Sequence, residues 1–333
     1  MALLAGALLA GCATPRVTLL EGTTMGSAWT VKIAAPLPRP AAELQRGAQA
    51  RFETVNQALS TYRADSALSR FNADDRGEWV EVDPELAAVL AYALSLAEAS
   101  GGAYDVTVGP LVNLWGFGPD PARSAEPDAA QIDAARARVG WRKVEVDVAR
   151  GRARKAPGVR IDLSSLGKGR GVDRVAGYLD SQGVSNYLID LSGKLRARGH
   201  NAWGAPWRVA VERPGADDPA GAARIVPAVV TLRDASIATA GDYRRYFESG
   251  GRHFSHIIDP RSGRPVSHAA VSATALGADC MRADALATVF MAMAPDDALR
   301  LANATDTAAL LMVRSGDADL RLIRSAAWRD SPP

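Results

Sequence analysis

The chain has 333 residues, 47% of them hydrophobic and 23% charged, which is the composition of a globular protein and excludes a disordered one. Lys and Arg number 39 against 37 Asp and Glu, a formal charge of +2, and aromatics make up 6%, so no basic, aromatic-interleaved surface points to nucleic acid. At roughly 150 residues per domain the length allows about two domains or one large one.

Met1–Gly11 is apolar and uncharged and ends at Cys12. Leu9-Ala10-Gly11-Cys12 resembles the bacterial lipobox, whose Cys is lipidated and becomes the new N-terminus. The expectation is a leader over 1–12, a tether over 13–18 and a domain over 19–328 that is either one unit or two packed subdomains. The protein would then be exported to the periplasmic face of a membrane and held there by acyl chains, without a spanning helix. Only Cys280 remains, so no internal disulfide is available.

Residues 28–34 alternate as a strand does. Leu44, Ala48, Phe52, Val55 and Leu59 recur at helical spacing. Asp83-Pro84-Glu85 opens a helix with a cap, a proline at the first turn and an acid, and Gly101-Gly102 closes it. Residues 116–127 read as a long loop. A helix follows, from an Asp128 cap through Ile132, Ala135 and Val139. Strands are expected over 143–148 and 159–163, then a helix on Val172, Val175, Ala176 and Leu179 that stops at Gly183, then a strand over 187–191. From 207 to 277 the pattern is mostly β, with strands near 207–212, 225–232, 236–240, 254–258 and 271–276. Helices near 281–294 and 296–303 and strands near 308–313 and 319–324 complete the chain. Helices and strands mix without regular βαβ alternation, which predicts an α+β fold with mixed, mostly antiparallel sheets and packed helices.

Three segments carry chemistry. Asp162-Leu-Ser-Ser-Leu-Gly-Lys-Gly-Arg-Gly-Val-Asp173 reads as a strand, a Gly-rich turn and a helix start, with Lys168 adding charge. Such a start favours an anion, and the glycines serve either a close phosphate or a tight turn. Its spacing is neither a Walker A loop nor a dinucleotide fingerprint. Asp284 and Thr288 are i,i+4 neighbours, and their two oxygens suit Mg²⁺. Alternatively, Thr288 bonds back into its own helix, with Asp279 as the N-cap. His256, on an expected strand entering an Asp-Pro turn, has the side chain of a general base; alternatively it is a half-buried strand histidine whose ring is satisfied. No His/Cys cluster has zinc spacing, and no nucleophile elbow is present.

Together with Thr23-Thr-Met25-Gly26-Ser27, Ser60-Thr-Tyr62-Arg-Ala-Asp65-Ser66, Ser69-Arg-Phe-Asn72, Ala103-Tyr104-Asp105-Val-Thr-Val-Gly-Pro-Leu111, Ile237-Ala-Thr-Ala-Gly241-Asp242-Tyr243 and His256-Ile-Ile-Asp-Pro260, these segments resemble the ApbE-like FAD:protein FMN transferases. The resemblance implies that FAD is the substrate, FMN passes to a Ser or Thr hydroxyl of an acceptor protein, and AMP leaves. It implies Mg²⁺ on Asp284, Thr288 and the Gly167 carbonyl. Flavin and adenine contacts would come from Met25, Tyr62, Ala103, Tyr104, Asp105, Ser164, Arg170, Ile257 and Ile258, with Lys168 toward phosphate. His256 is the candidate base and Asp242 the second choice. A FAD pyrophosphatase giving FMN and AMP, or a non-catalytic flavin-binding lipoprotein, are the alternatives. The chain departs from the family pattern at Gly167, where Ala is usual, and at Arg170, where an aromatic is usual. Ala240 replaces a common Ser. Leu191-Ser192-Gly193-Lys194 stands where a Gly-Gly-acid or Gly-Gly-Asn run is expected.

Overall fold

The structure, a computed structural model, describes residues 16–119, 126–213, 228–242, 246–315 and 319–330. The expected leader with Cys12, the first half of the tether, the middle of the 116–127 loop, the start of the 225–232 strand and Tyr243 lie outside them.

The frame is one eight-stranded sheet. Its strands are β1 (Thr18–Thr24), β2 (Ser27–Ile33), β3 (Tyr187–Leu191), β4 (Lys194–Arg198), β5 (Ser236–Gly241), β6 (Ala270–Gly277), β7 (Ala309–Arg314) and β8 (Leu320–Arg324). They lie side by side in chain order, each antiparallel to the next. The other described helices and strands are inserted between neighbours of this meander. The helices are α1 (Ala41–Leu59), α2 (Ala67–Ala73), α3 (Pro84–Ala99), α4 (Gly109–Leu114), α5 (Ala129–Arg136), α6 (Ser164–Ser181), α7 (Cys280–Ala292) and α8 (Pro295–Ala304). This is the α+β arrangement that the sequence pattern predicts.

Side chains alternate across the sheet, as the strand period of two requires. Ala273, Ala275 and Leu311 face α7 and join a core with Phe290 and Val289. Val271, Leu310 and Met312 face the other way and pack on the hairpin of Trp207–Val211 with Ala228–Leu232. On the first face, toward β2 and β3, α1 buries Leu44, Ala48 and Phe52 against Val172, Val175 and Leu179 of α6. The caps read from sequence are made. Asp83 accepts from the N–H groups of Glu85 and Leu86, Asp128 and Gln131 form a capping box, and Asp279 accepts from Arg282 N–H.

Two expectations are corrected. Residues 159–163 form no strand. Their backbone groups are met by a side chain and a loop instead: Ile161 N–H donates to Asn72 Oδ1, Asn72 Nδ2 donates to Ile161 O, and Asp162 N–H donates to Val106 O. The Gly-rich segment is no loop either. It is already helical from Ser164, so Gly167, Gly169 and Gly171 lie within α6. A Cβ at Gly169 would stand 2.5 Å from Cys280 O and 2.8 Å from Asp284 Cβ, and one at Gly171 would stand 2.9 Å from Phe52. These two glycines let α6 approach α7 and α1.

Candidate active site

Two hairpin turns shape one end of the sheet. Met25-Gly26 joins β1 to β2 and Ser192-Gly193 joins β3 to β4, with all four residues at positive φ. Two-residue loops of this kind match the strand twist, and a non-glycine held at positive φ, as Met25 and Ser192 are, is the sort of strain that clusters at binding sites. Beside them β5 ends at Gly241.

A cavity of about 1200 Å³ opens at this end. Its wall includes Met25, Tyr62, Ala103, Tyr104, Asp105, Ser164, Gly167, Lys168, His256, Ile257, Ile258, Asp284 and Thr288. The fold thus gathers almost every residue singled out from sequence, from segments far apart in the chain.

The ring end is built around α1 and the 103–108 turn. The Ser60 carbonyl accepts from the hydroxyls of Ser66 (2.6 Å) and Ser69 (3.2 Å), and Tyr62 N–H donates to Ser60 Oγ. This fixes the segment that carries Tyr62, a residue 61% exposed. Tyr104 is buried and shares a 2.8 Å hydrogen bond with Ser165. Burial pushes its phenol above the ordinary value. Asp105 stands on the wall, but its carboxylate accepts from Thr107 N–H and Oγ1 (2.8 and 2.7 Å) and from Trp141 N–H (2.8 Å). Burial raises its pKa. That carboxylate shapes the turn rather than a ligand.

The charged end lies where α6 meets α7. Asp162 Oδ1 accepts from Ser164 N–H and so caps α6 (2.8 Å). Lys168 Nζ donates to Ser27 Oγ at 2.9 Å. Asp284 is 2% exposed. Its Oδ2 accepts from Gly169 N–H at 3.0 Å, and its Oδ1 meets Lys194 Nζ at 2.9 Å. Lys194 also donates to Thr239 O at 2.6 Å. The Thr288 hydroxyl donates to Asp284 O at 3.2 Å, the back-bond weighed from sequence. Sequence reading marked Lys194 only as a departure from a motif, and its partner becomes visible only in three dimensions.

The donor chemistry here suits a hard cation. A carboxylate, a hydroxyl and, on the same wall, Gly167 supply oxygen atoms, and nothing stands within 4 Å of a Cβ placed at Gly167. A carboxylate has about four acceptor sites and a hydroxyl two, so the bonds made to Asp284 and by Thr288 leave lone pairs for a metal. Among the described residues no group of three or more His, Cys, Asp or Glu gathers as a metal site, so any metal would draw on this mixed set.

His256 lines the cavity at a bend, just after the strand Arg252–Ser255 rather than on it. Its ring meets Phe117 edge-on at 6.2 Å. The supporting cluster of Trp115, Phe247 and Phe254 is tied down by Trp115 Nε1, which donates to Gly263 O.

Two candidates fall elsewhere. Arg170 is not on the cavity wall; it pairs with the Glu85 carboxylate, which Arg174 also engages. Two residues apart on α6, Arg170 and Lys168 leave the helix on different sides, and Arg170 is taken up by Glu85. Asp242 is buried off the wall, 3.6 Å from Arg314 and 3.8 Å from His253, and burial raises its pKa. As a second-choice base it does not face the cavity.

The ApbE family model matches residues 25–311. The chain is 41% identical over 312 residues to the FAD:protein FMN transferase of Vibrio cholerae, covering 93% of this chain and 92% of that protein. It is 37% identical over 304 residues to the FAD:protein FMN transferase of Escherichia coli, covering 90% and 85%. Its fold superimposes on the flavin transferase ApbE from Vibrio cholerae with a TM-score of 0.86 at 37% identity, covering 94% of this chain and 98% of that one. The ApbE protein of Thermotoga maritima gives a TM-score of 0.82 at 26% identity, over 93% and 97%. With this likeness spanning almost the whole chain, and with the family's motif residues lining one cavity, the protein belongs to the ApbE family.

Proposed function

We propose that the chain transfers FMN from FAD to a Ser or Thr hydroxyl of an acceptor protein, releasing AMP. The observation that carries this reading is that one cavity joins an aromatic end at Tyr62 and Tyr104 to a charged end at Lys168, Lys194 and Asp284. At about 1200 Å³ it exceeds the ~300–1,000 Å³ usual for small-molecule sites, as a dinucleotide with two ring systems demands. The relatives' names supply the reaction class.

Transfer joins the acceptor oxygen to the FMN-side phosphorus and breaks the bond to the AMP oxygen. Chemistry of this kind depends on positioning and charge neutralisation. The ammonium groups of Lys168 and Lys194 stand where the pyrophosphate charge would fall. His256 takes the hydroxyl proton, since among the predicted bases it alone lies on the wall. Mg²⁺, held by Asp284, Thr288 and Gly167 O, would neutralise charge on the leaving phosphate.

The reading includes export and lipid anchoring through Cys12, which the Leu9–Cys12 box supports. Replacement of Cys12 by Ser is expected to release the protein from membranes on fractionation, and a membrane-bound variant would refute the anchor.

The deciding experiment incubates the protein with FAD, Mg²⁺ and a Ser/Thr-containing acceptor, then reads in-gel flavin fluorescence and free AMP. Covalent flavin with AMP establishes transfer. AMP without labelling means hydrolysis, and neither product means a flavin binder.

A further inference from the structure

We infer that Lys194 is a built-in competitor for the cation site at Asp284: its ammonium holds the carboxylate in the free protein and has to leave before a divalent metal is bound tightly. The inference rests on the reading of Asp284 as a metal ligand, given above.

Four observations support it. Lys194 Nζ lies 2.9 Å from Asp284 Oδ1, contact distance for an ion pair, so a divalent cation on the carboxylate's remaining lone pairs would sit beside a like charge. Both partners are sheltered, with side-chain exposures of 12% for Lys194 and 3% for Asp284, so water screens the pair poorly. Lys194 is rigidly delivered. It is the first residue of β4, directly after the tight Ser192-Gly193 turn, and its backbone pairs with Leu191 on one side and Ala238 on the other. Its ammonium also has a second anchor in Thr239 O at 2.6 Å, a partner that persists when Asp284 is taken by another cation.

The same ammonium has somewhere to go. Lys194 lines the cavity with Lys168, on the wall where a ligand phosphate would sit. An anion there draws Lys194 off Asp284 and frees the carboxylate. Metal loading is thereby coupled to arrival of a phosphate-bearing ligand, and the free protein resists stray divalent cations.

The test uses Mn²⁺ as the probe, since it prefers the same oxygen donors as Mg²⁺ and its free form is counted by electron paramagnetic resonance. Full-length wild-type protein and Lys194→Met are titrated with Mn²⁺ in the absence of any nucleotide. The variant is expected to bind about tenfold tighter or better, because a like charge is removed from the site. Adding Asp284→Asn to Lys194→Met is expected to abolish the gain. If Lys194→Met does not fold, Lys194→Gln retains a polar group for Thr239 O and serves in its place. A second readout is the rise in melting temperature on adding Mg²⁺, expected to be larger in the Lys194 variant than in wild type.

Equal Mn²⁺ affinity in wild type and variant overturns the inference, as does a gain that survives Asp284→Asn. Absence of Mn²⁺ binding in both proteins overturns it too. None of these outcomes bears on flavin transfer by the wild type, which the fluorescence assay decides on its own.

Discussion

Two glycines in the first turns of α6 are predicted to respond oppositely to the same substitution. For Gly169→Ala, the added Cβ would stand 2.5 Å from Cys280 O and 2.8 Å from Asp284 Cβ, and the nearer obstacle is backbone. Either α6 or α7 has to shift. Overpacking of this kind costs about 1–3 kcal/mol. The shift also breaks the 3.0 Å bond from Gly169 N–H to Asp284 Oδ2, and a hydrogen bond to a charged group contributes roughly 1.5–3 kcal/mol. The better helix propensity of Ala returns about 1 kcal/mol. The net expectation is a loss of about 2–4 kcal/mol, or roughly 3–6 °C in melting temperature for a chain of this size. For Gly167→Ala no atom lies within 4 Å of the new Cβ, so only the propensity gain of up to about 1 kcal/mol remains, and stability is expected to rise slightly. The assay is thermal unfolding by circular dichroism, with urea midpoints as a check. A Gly169→Ala protein as stable as wild type would refute the packing argument. So would a Gly167→Ala protein that loses as much stability as the Gly169 variant.

The remaining predictions are read from single side chains. His268 is held neutral: its Nε2–H donates to Met291 O (2.9 Å), its Nδ1 accepts from Ala270 N–H (3.3 Å), and burial pushes its pKa below 6.5. The unfolded chain therefore takes up the proton more readily. Stability is full above the unfolded value and falls as pH drops through it toward the lower folded value. His268→Gln is expected to lack that slope when urea midpoints are measured from pH 7 down to pH 5; a slope equal to wild type refutes the assignment. Arg170→Ala is expected to leave FAD affinity unchanged by fluorescence titration while lowering the melting temperature, because Arg170 serves Glu85 and not the cavity. Weaker FAD binding in that variant would place it back in the site. Tyr62→Ala is expected to weaken FAD about fivefold, since ring stacking contributes on the order of 1 kcal/mol beyond area burial. Its melting temperature should hold, because the ring is exposed, and an unchanged flavin affinity counts against the aromatic end of the cavity.

Long amphipathic helices and capped ends were legible because their signals are local. The faces of α1 and α3 and the caps at Asp83, Asp128 and Asp279 lie where spacing puts them. Strand β4 was missed although Lys-Leu-Arg-Ala-Arg does alternate, Leu195 and Ala197 against three cations: with two apolar residues the run is short, and it is the Ser192-Gly193 turn that folds it back on β3. Residues 159–163 alternate in burial like a strand, yet the side chain of Asn72 takes the place of a neighbouring chain. The site was legible as a set of words but not as a geometry. Nothing local in Gly-Lys-Gly-Arg-Gly distinguishes a phosphate loop from a helix pressed against another helix. Nor does the sequence tell which way Arg170 and Lys168, two residues apart, turn from the helix axis.

The glycine stripe and the acidic residue of the next helix prove to be one feature. Asp284 reaches the cavity wall from α7, and at 2% exposure its charge needs partners within the protein. Gly169 supplies one through its N–H, which is reachable only because no Cβ stands between the helices. Lys194 supplies the other from the sheet below. Removing one member of such a buried pair costs about 3–5 kcal/mol, because the other is left uncompensated. The same three residues therefore hold α6, α7 and β4 together and set the charge that a ligand meets at the end of the cavity. A metal that displaces Lys194 takes over its structural role as well, so the fold at this end is tighter with a cation on Asp284 than with the carboxylate bare, whichever cation that is.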